Sequence, residues 1–591
     1  MSVFHALPLS RKLLVLAAST AVAAPLALAG PAHGAEPIPY TVTPLTFTVE
    51  AGGRSCVVDA DLYRPAGVDA AHPAPAVLAT NGFGGSKADG STDAIGKAFA
   101  ARGYVGLVYS GLGFGKSGCL ISLDDPRIDG QAATRLVDFL GGTRAADDGT
   151  RADFVTKDGA GDPRVGMVGG SYGGAVQLAT ASVDPRLDAL VPLITWSDLA
   201  YSLAPNGADR ATPGVFKWQW ANGFYLMGEG QPLLVPSLDP SRINRLDCLH
   251  FVTDACDTVR LLNSGRYRDA DTKKMLDFAR SVSPVSYLDR VKAPTLIVQG
   301  QSDSLFNLNE AQDTYERLQA RGVETKMIWQ SWGHSGGQAP GELDLAQGNL
   351  ETSYVGQRVL AWFDRHLRGN GKADTGAEFA YYRSWQSGYG TAARVPALSQ
   401  KLYLSGDGKL VDNRAKVARG SREYSNWLVP TSHSESSLTG LIGLPDPRPY
   451  DLKGTYLGWT SAPLTAPVDV VGSPKATLRV VSPKTERFQD SGDAADKLVL
   501  FAKVYDIAPD GTKTLVNRLV APVRVPDATR PFTVELPGIV HRYERGHRLE
   551  FVIAASDDAY SGNRGIKPVT VTAVPEDTGT LELPVVKGQV G

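Results

Sequence analysis

Three residues in this chain have the types and the spacing that nucleophilic catalysis requires. Ser171 lies in a Gly-x-Ser-x-Gly sequence at residues 169–173, Asp303 follows in the middle of the chain, and His334 comes later. Each of them stands just after an apolar run that is typical of a strand. A serine oxygen becomes an effective nucleophile when an imidazole accepts its proton and a carboxylate orients the imidazole. We therefore predict Ser171 as nucleophile, His334 as general base and Asp303 as the acid.

The local sequence distinguishes Ser171 from a second serine with the same pattern. Residues 333–337 also read Gly-x-Ser-x-Gly around Ser335, but Pro340 and two glycines follow and cannot begin a helix. Ser171 instead precedes an apolar run, residues 175–179, that can continue as the helix of a nucleophile elbow. Asp198, which follows the preceding strand, is the alternative acid.

Two backbone amides are candidates for stabilising the oxyanion that such a reaction forms. The residue after the nucleophile, Tyr172, supplies one N–H in a nucleophile elbow. The second donor should come from a loop after an early strand, here residues 81–87, and we predict the Phe83 N–H.

The elements around these residues alternate between strand and helix. Strand-like runs at residues 76–79, 104–109, 165–168 and 189–194 are separated by helix-like runs at 93–101, 131–140 and beyond 173. The alternation resumes at 295–298 and ends with a helix near 354–367. This pattern predicts an α/β fold with a mostly parallel sheet.

The alternation breaks between residues 198 and 283, where we predict a helical cap inserted into the α/β domain. Aromatic residues cluster there and just before it. As candidate pocket residues we name Trp196, Trp218, Trp220 and Phe224, with the alternative that each tryptophan is only part of the cap's core.

Beyond about residue 384 helix-like patterns disappear and short strand-like runs with turn sequences follow. We predict an all-β sandwich, a jelly roll, at residues 386–591. The α/β domain with its cap then occupies residues 36–385, and residues 1–35 form a signal peptide.

That N-terminal segment has Arg11 and Lys12, an apolar run and small residues before a cleavage site near Gly34 or Ala35. A retained membrane anchor is the weaker alternative, so we expect a secreted protein without membrane association after cleavage.

Composition and other motifs exclude several classes of function. The formal net charge is -2, which provides no long-range field for nucleic acid or an anionic membrane. The glycine-rich run at 111–118 lacks both the first glycine of a phosphate-binding loop and the helix that should follow it. We predict no nucleotide, cofactor or metal. The sequence does not indicate an oligomeric state.

The four cysteines allow three disulfide pairings if the protein is exported. We favour Cys56 with Cys119, which would join an early strand to the loop after a later one, and Cys248 with Cys256, which would close a short loop in a helical region. Zinc is the alternative, but neither a Cys-x-x-Cys sequence nor clustered histidines accompany the cysteines.

With these residues placed, the chain resembles the Xaa-Pro dipeptidyl-peptidase and cocaine esterase-like serine hydrolases over nearly all of its mature length. The resemblance rests on residues 169–174, 283–287 with 294–297, 332–334 and 362–367, and on 504–511 and 546–549 in the β part. It implies an α/β-hydrolase core, a helical cap and a galactose-binding-like β-sandwich. It also implies an acyl-enzyme on Ser171 that water activated by His334 hydrolyses. Members often place a tyrosine hydroxyl in the oxyanion hole, where this chain has Phe83.

The leading hypothesis is therefore a secreted peptidase that releases Xaa-Pro from peptide N-termini. That activity needs a carboxylate for the substrate's free amine, and the sequence does not choose among cap residues such as Asp198 and Glu229. The second hypothesis is a carboxylesterase acting on small esters. The third, from a different class, is a carbohydrate-binding protein with an inactive hydrolase part.

Overall fold

A ten-stranded sheet positions the predicted catalytic residues. The computed structural model describes residues 36–205, 213–231, 239–435 and 446–591, so the predicted signal peptide at 1–35 lies outside the described residues. The strands of this sheet are β1 (Tyr40–Ala51), β2 (Arg54–Pro65), β3 (Ala76–Thr80), β4 (Val105–Tyr109), β5 (Val165–Gly170), β6 (Leu187–Leu193), β7 (Thr295–Ser302), β8 (Thr325–Trp332), β9 (Phe379–Arg383) and β10 (Gly388–Ala392).

The strand order is β1-β2-β4-β3-β5-β6-β7-β8-β9-β10. The strands from β4 to β9 in this order run parallel, and antiparallel pairs β1 with β2, β2 with β4 and β9 with β10 form the two edges. The inner strands are apolar on both faces because both faces are covered. In β3, Leu78 belongs to the core on one face and Val77 to the core on the other.

Helices cover the sheet and fill the predicted cap. They are α1 (Gly90–Ala100), α2 (Gln131–Leu140), α3 (Tyr172–Ala181), α4 (Leu199–Leu203), α5 (Trp218–Gly230), α6 (Thr253–Ser264), α7 (Asp269–Ser281), α8 (Leu308–Ala320), α9 (Tyr354–Arg368) and, in the β part, α10 (Pro483–Phe488). A short hairpin joins Lys157–Gly159 to Asp162–Pro163. Within the described ranges no helix is long and apolar enough to cross a membrane.

The C-terminal part consists of antiparallel strands. They are β11 (Gln400–Leu404), β12 (Leu410–Val411), β13 (Gly420–Tyr424), β14 (Ser432–His433), β15 (Tyr450–Asp451), β16 (Tyr456–Thr460), β17 (Val468–Gly472), β18 (Lys475–Leu478), β19 (Val499–Ile507), β20 (Lys513–Leu515), β21 (Ala521–Arg524), β22 (Phe532–Glu535), β23 (Ile539–Tyr543), β24 (Arg548–Ala554), β25 (Val569–Ala573), β26 (Thr580–Leu583) and β27 (Val585–Lys587).

Two five-stranded sheets form the larger part of this region. One has the order β12-β11-β26-β18-β22, and the other runs β16-β24-β19-β20 with β21 also paired to β19. Their apolar side chains share one core that includes Trp459, Leu500 and Phe551. The α/β fold followed by an all-β part is confirmed, while the jelly-roll connectivity stays a prediction.

The C-terminal sheets pack directly on the α/β part. Val471 of β17 and Val540 of β23 share a buried apolar cluster with Trp329 of β8. Val215, just before α5, packs in a cluster of residues from the C-terminal sheets. Residues Ile38–Gly591 form one compact unit. Because β10 ends at Ala392, the large sheet reaches past residue 385, and the predicted domain boundaries stay predictions.

Candidate active site

Ser171 lies in the sharp turn between β5 and α3. Its φ of 57° and ψ of -120° belong to neither strand nor helix. The turn also requires a residue without a side chain at Gly173, because a Cβ there would stand 2.5 Å from the Thr80 carbonyl oxygen. The strand, the strained serine and the following helix together form the nucleophile elbow that the sequence predicts.

His334 stands between Ser171 and Asp303. Its Nε2 lies 2.9 Å from the Ser171 Oγ, and its Nδ1 lies 2.7 Å from the Asp303 Oδ2. The Nδ1–H tautomer matches both contacts, since Nδ1 then donates to the carboxylate and Nε2 accepts the serine proton. The other Asp303 oxygen accepts the Phe306 N–H at 2.7 Å. The structure thus brings the three predicted residues together in the order that acyl transfer needs.

The alternative acid, Asp198, has a different position. Its carboxylate accepts the Ala200 N–H at 3.0 Å and caps α4. Because His334 Nδ1 meets Asp303, the geometry favours Asp303 over Asp198.

The segments that carry the two predicted oxyanion donors lie beside the nucleophile, and the donor role of the two N–H groups stays a prediction. Tyr172 is the first residue of α3, so its N–H has no acceptor inside the helix. The Phe83 loop is close as well, since a Cβ on Gly82 would be 3.9 Å from the Ser171 Cβ. The Tyr172 hydroxyl accepts the Asp124 N–H at 3.1 Å and is thereby held away from the reaction centre. The Phe83 ring packs on Tyr172 and Phe224, at centroid distances of 5.8 and 5.1 Å.

A cavity of about 120 Å³, here called the inner cavity, extends from Ser171 into the cap. Helices α4 to α7 supply most of its wall, with Leu199, Phe224, Ala255 and Phe278 among the lining residues. Within the described part of the chain, none of its lining residues carries a charge. Such a wall favours an apolar group over a charged one because an unpaired charge loses its hydration there.

A second cavity of about 480 Å³, here called the outer cavity, reaches Ser171 and His334. Phe83 and Phe224 line both cavities and therefore stand between them. The outer wall is more polar and includes Thr92, Gln338 and Asp344. A substrate bond at Ser171 can therefore have one side in each cavity.

The predicted pocket aromatics separate into three positions. Trp196 lines the inner cavity, Trp220 the outer one, and Phe224 both. Trp218 lies outside both cavities, where its indole N–H donates to the Asp558 carbonyl oxygen at 2.9 Å. Each step along a helix turns the side chain by about 100°, so Trp218 and Trp220, which are two positions apart, face different sides of α5. The sequence alone does not show which of these sides faces the cavities.

The cysteine pairing is confirmed. Disulfides join Cys56 to Cys119 and Cys248 to Cys256. Glu229 lies near the second pair, but disulfide sulfurs are not the thiolates that bind metals, so this group does not fit a metal site. Two disulfides are typical of proteins in oxidising compartments outside the cytoplasm.

Sequence reasoning missed two buried charged residues next to the triad, Lys217 and Glu435. Lys217 Nζ donates to the carbonyl oxygens of Ser304 and Leu305, at 2.6 and 3.0 Å. Burial lowers the pKa of Lys217 to about 8 and raises the pKa of Glu435. The sequence signal that could have identified Lys217 is the presence of a lysine among the aromatic residues just before α5. No such signal marks Glu435, because it lies 131 positions from Ser304, the serine that it contacts.

The α/β sheet carries a serine at a nucleophile elbow, and this serine is hydrogen-bonded to an imidazole that is hydrogen-bonded to a buried carboxylate. This arrangement defines a serine hydrolase. Comparison with known proteins supports this class. Residues 53–336 match the family described as X-Pro dipeptidyl-peptidase (S15 family), and residues 365–573 match the X-Pro dipeptidyl-peptidase C-terminal non-catalytic domain. Both matches, which together span most of the chain, are to X-Pro dipeptidyl-peptidases, and the chain is a serine hydrolase of that family.

Curated relatives share part of the chain. A Mycobacterium bovis protein provisionally named a serine esterase is 24% identical in an alignment of 280 positions that covers 40% of this chain and 41% of that protein. A Rhodopirellula baltica protein provisionally named an Xaa-Pro dipeptidyl-peptidase is 27% identical in an alignment of 256 positions that covers 41% of this chain and 36% of that one. The chain thus spans about two fifths of the length of the curated relatives it matches.

Solved structures share the fold over almost the whole chain. An aminopeptidase from a marine sediment Thaumarchaeota archaeon has a TM-score of 0.63 at 16% identity, covering 95% of this chain and 100% of that one. An α-amino acid ester hydrolase has the same TM-score and coverage at 17% identity. A CocE/NonD family hydrolase from Staphylococcus aureus has a TM-score of 0.60 at 14% identity, covering 93% and 97% of the two chains.

Proposed function

We propose that this protein is a carboxylesterase that hydrolyses esters with an apolar acyl group. The inner cavity carries the proposal, because the described residues of its wall carry no charge and lead directly to Ser171. Apolar atoms of the substrate gain about 25 cal/mol for each Å² of surface removed from water. A protonated substrate amine would find no carboxylate among the described residues that line this wall.

The reaction follows from the contacts of the triad. The Ser171 Oγ attacks the ester carbonyl carbon while His334 Nε2 takes the serine proton. Asp303 stabilises the imidazolium, and the Tyr172 and Phe83 amides bind the oxyanion. The tetrahedral intermediate expels the alcohol, which takes the proton from His334. Water then gives a proton to His334 and attacks the acyl-enzyme, releasing the carboxylic acid and restoring Ser171.

The two cavities support a proposal for where the two sides of the substrate bind. We place the acyl group in the inner cavity and the alcohol in the outer one, where polar side chains such as Gln338 tolerate a hydrated group. The aromatic partition of Phe83 and Phe224 then lies beside the scissile bond.

Release of Xaa-Pro dipeptides is the second candidate, favoured by the family descriptions and by Asp344, a carboxylate in the wall of the outer cavity. The two carboxylates considered from sequence are used elsewhere. Asp198 caps α4, and Glu229 accepts the N–H groups of Leu249 and His250 at 2.6 and 3.1 Å. Asp344 also accepts hydrogen bonds, from the backbone and side-chain amides of Gln347 at 3.1 and 2.9 Å, but it lines the outer cavity and is therefore the candidate for binding an amine.

Secretion belongs to the same proposal, since the two disulfides support a location outside the cytoplasm. Carbohydrate binding by the C-terminal sheets stays a prediction. The hydrogen-bonded triad favours catalysis over the inactive-hydrolase hypothesis.

Turnover of p-nitrophenyl butyrate beside Ala-Pro-p-nitroanilide distinguishes the two candidates. We expect the mature enzyme to cleave the ester and to leave the anilide almost untouched, with Ser171→Ala inactive on both. Rapid anilide cleavage that falls in Asp344→Asn and on N-acetylation of the substrate would establish the peptidase instead. Cleavage of neither compound would contradict both candidates.

A further inference from the structure

A buried polar cluster lies beneath the loops that carry Asp303 and His334. It consists of Glu435, Ser304, Ser335, Trp220 and Lys217, and is here called the Glu435 cluster. Four of its members come from the α/β part and the cap, whereas Glu435 follows β14 in the C-terminal part. Glu435 is 5% exposed and lines neither cavity, so it is shielded from substrate.

Hydrogen bonds within the cluster run from the triad loops to the Glu435 carboxylate. The Ser304 N–H donates to the Ser335 Oγ at 3.1 Å, and the two serine oxygens are 2.6 Å apart. The Ser304 hydroxyl in turn donates to Glu435 Oε1. Because Ser304 follows Asp303 and Ser335 follows His334, one carboxylate fixes the immediate neighbours of both the acid and the base.

Trp220 connects the cluster to the imidazole ring. Its indole N–H lies 3.1 Å from Glu435 Oε1 and 3.2 Å from the Ser304 Oγ. Its ring meets the His334 ring edge to face at a centroid distance of 6.2 Å, and Phe306 contacts the same imidazole at 5.2 Å. The position of the Trp220 indole therefore depends on the carboxylate.

The charge balance of the cluster favours a positioning role. A buried carboxylate is costly unless it is hydrogen-bonded and near a positive charge, and Lys217 supplies that charge. Lys217 also stabilises the turn after Asp303 by donating hydrogen bonds to the carbonyl oxygens of Ser304 and Leu305. The turn is thus held at its carbonyl groups by Lys217 and at its hydroxyl by Glu435.

We propose that Glu435, supplied by the C-terminal part, is a positioning residue for the Asp303–His334 pair. It acts through Ser304, Ser335 and Trp220 and touches no substrate atom. The inference rests on the catalytic triad of the proposed function but not on the identity of the substrate. A displacement of about 1 Å in a catalytic group can reduce the rate about 100-fold, so loss of this support should appear in catalysis.

The test measures how fast a fluorophosphonate labels Ser171, since this reaction needs the activated serine but no particular substrate. The variants are Glu435→Ala, Glu435→Gln and Ser304→Ala. Glu550→Ala is the matched control, a buried glutamate of β24 paired with Lys513 at 2.6 Å. Labelling rates, kcat and KM for p-nitrophenyl butyrate, and thermal midpoints are measured for each full-length protein.

We expect E435A and S304A to reduce the labelling rate and kcat about 10-fold or more, with KM within about twofold. E435Q should stay within about threefold of wild type, because its amide oxygen can accept both hydrogen bonds. E550A should lower the thermal midpoint without slowing labelling. Ser304→Ala removes the hydrogen bond between Ser304 and Glu435 but leaves Glu435 in place. The inference can therefore still be tested with this variant if E435A does not fold.

Wild-type labelling rates in E435A or in S304A would overturn the inference, and so would an E435Q variant as slow as E435A. A wild-type protein that no fluorophosphonate labels would overturn the proposed function together with this inference. Normal labelling of both wild type and E435A would overturn this inference alone.

Discussion

The inner and outer cavities meet at Ser171 but have walls of different chemistry. The inner wall is built from the apolar faces of α4 to α7 and carries no charge among the described residues. The outer wall includes the polar side chains of Thr92, Gln338 and Asp344. One nucleophile thus faces two environments, and the substrate must be asymmetric in the same way to fill both. If the acyl group binds in the inner cavity as proposed, most residues that set specificity for the acyl group differ from those that set specificity for the leaving group, with Phe83 and Phe224 shared.

Replacing Ser171 should have the largest effect, because both cavities depend on the same nucleophile. We expect Ser171→Ala to lose about 10⁴-fold or more of kcat/KM on every substrate while the protein stays folded. Steady-state rates on esters of varied acyl and alcohol groups measure this. Ser421→Ala, an exposed serine of β13, is the control. Residual activity above about 1% on one substrate set would show that a second nucleophile serves one of the cavities.

Loss of the acid should slow all substrates alike without changing the preference of either cavity. Asp303→Asn can no longer orient the Nδ1–H tautomer, so we expect kcat to fall about 10⁴-fold. The kcat of Asp198→Asn should fall less than about tenfold, since Asp198 caps α4 and does not contact His334. Paired kcat measurements decide, and a larger loss in D198N than in D303N would reverse the assignment of the acid.

Narrowing one cavity should change selectivity on that side only. Ala279→Leu adds a bulky group to the inner wall, so kcat/KM for an octanoate ester should fall about tenfold or more while an acetate ester changes less than about threefold. Ala346→Leu, in the outer wall, is the matched control. It should leave the acyl-chain preference unchanged and penalise large alcohols. Equal losses for octanoate in both variants would contradict the assignment of the acyl group to the inner cavity.

The two disulfides should differ in their effect on the inner cavity. Cys248 and Cys256 lie beside Phe251 and Ala255 of its wall, eight residues apart in sequence. Replacing both with serine should reduce stability by about 2–3 kcal/mol and weaken the preference for long acyl chains. Midpoints of urea inactivation and chain-length profiles measure the two effects.

Removal of Cys56–Cys119, which encloses 63 positions, should reduce stability by about 4 kcal/mol and leave the chain-length profile unchanged. If both double variants keep the wild-type profile, the second disulfide does not support the cavity wall.

The sequence predicts the catalytic centre better than its surroundings for a physical reason. Ser171, Asp303 and His334 each follow a strand, and the ends of neighbouring parallel strands meet at one edge of the sheet. Local patterns are therefore enough to place them. The pairing of Cys56 with Cys119 was likewise favoured from the elements that carry the two cysteines.

Features that depend on packing between distant segments could not be predicted in this way. Trp218 and Trp220 are two positions apart, yet one is bonded to Asp558 outside the cavities and the other contacts His334. The direction of each indole depends on how α5 packs against the C-terminal part. Glu435 reaches Ser304 across 131 positions, and nothing near Glu435 in sequence marks it as a neighbour of the triad.

The backbone of Ser171 has a consequence for the balance between stability and activity. A non-glycine residue with φ of 57° and ψ of -120° stores about 1–3 kcal/mol of strain, which the surrounding fold must outweigh. Ser171→Gly should therefore be more stable than Ser171→Ala by about 1 kcal/mol, as measured by their unfolding midpoints. Selection for stability alone would replace the nucleophile with glycine. The strained serine thus costs stability at the position where its reactivity is needed.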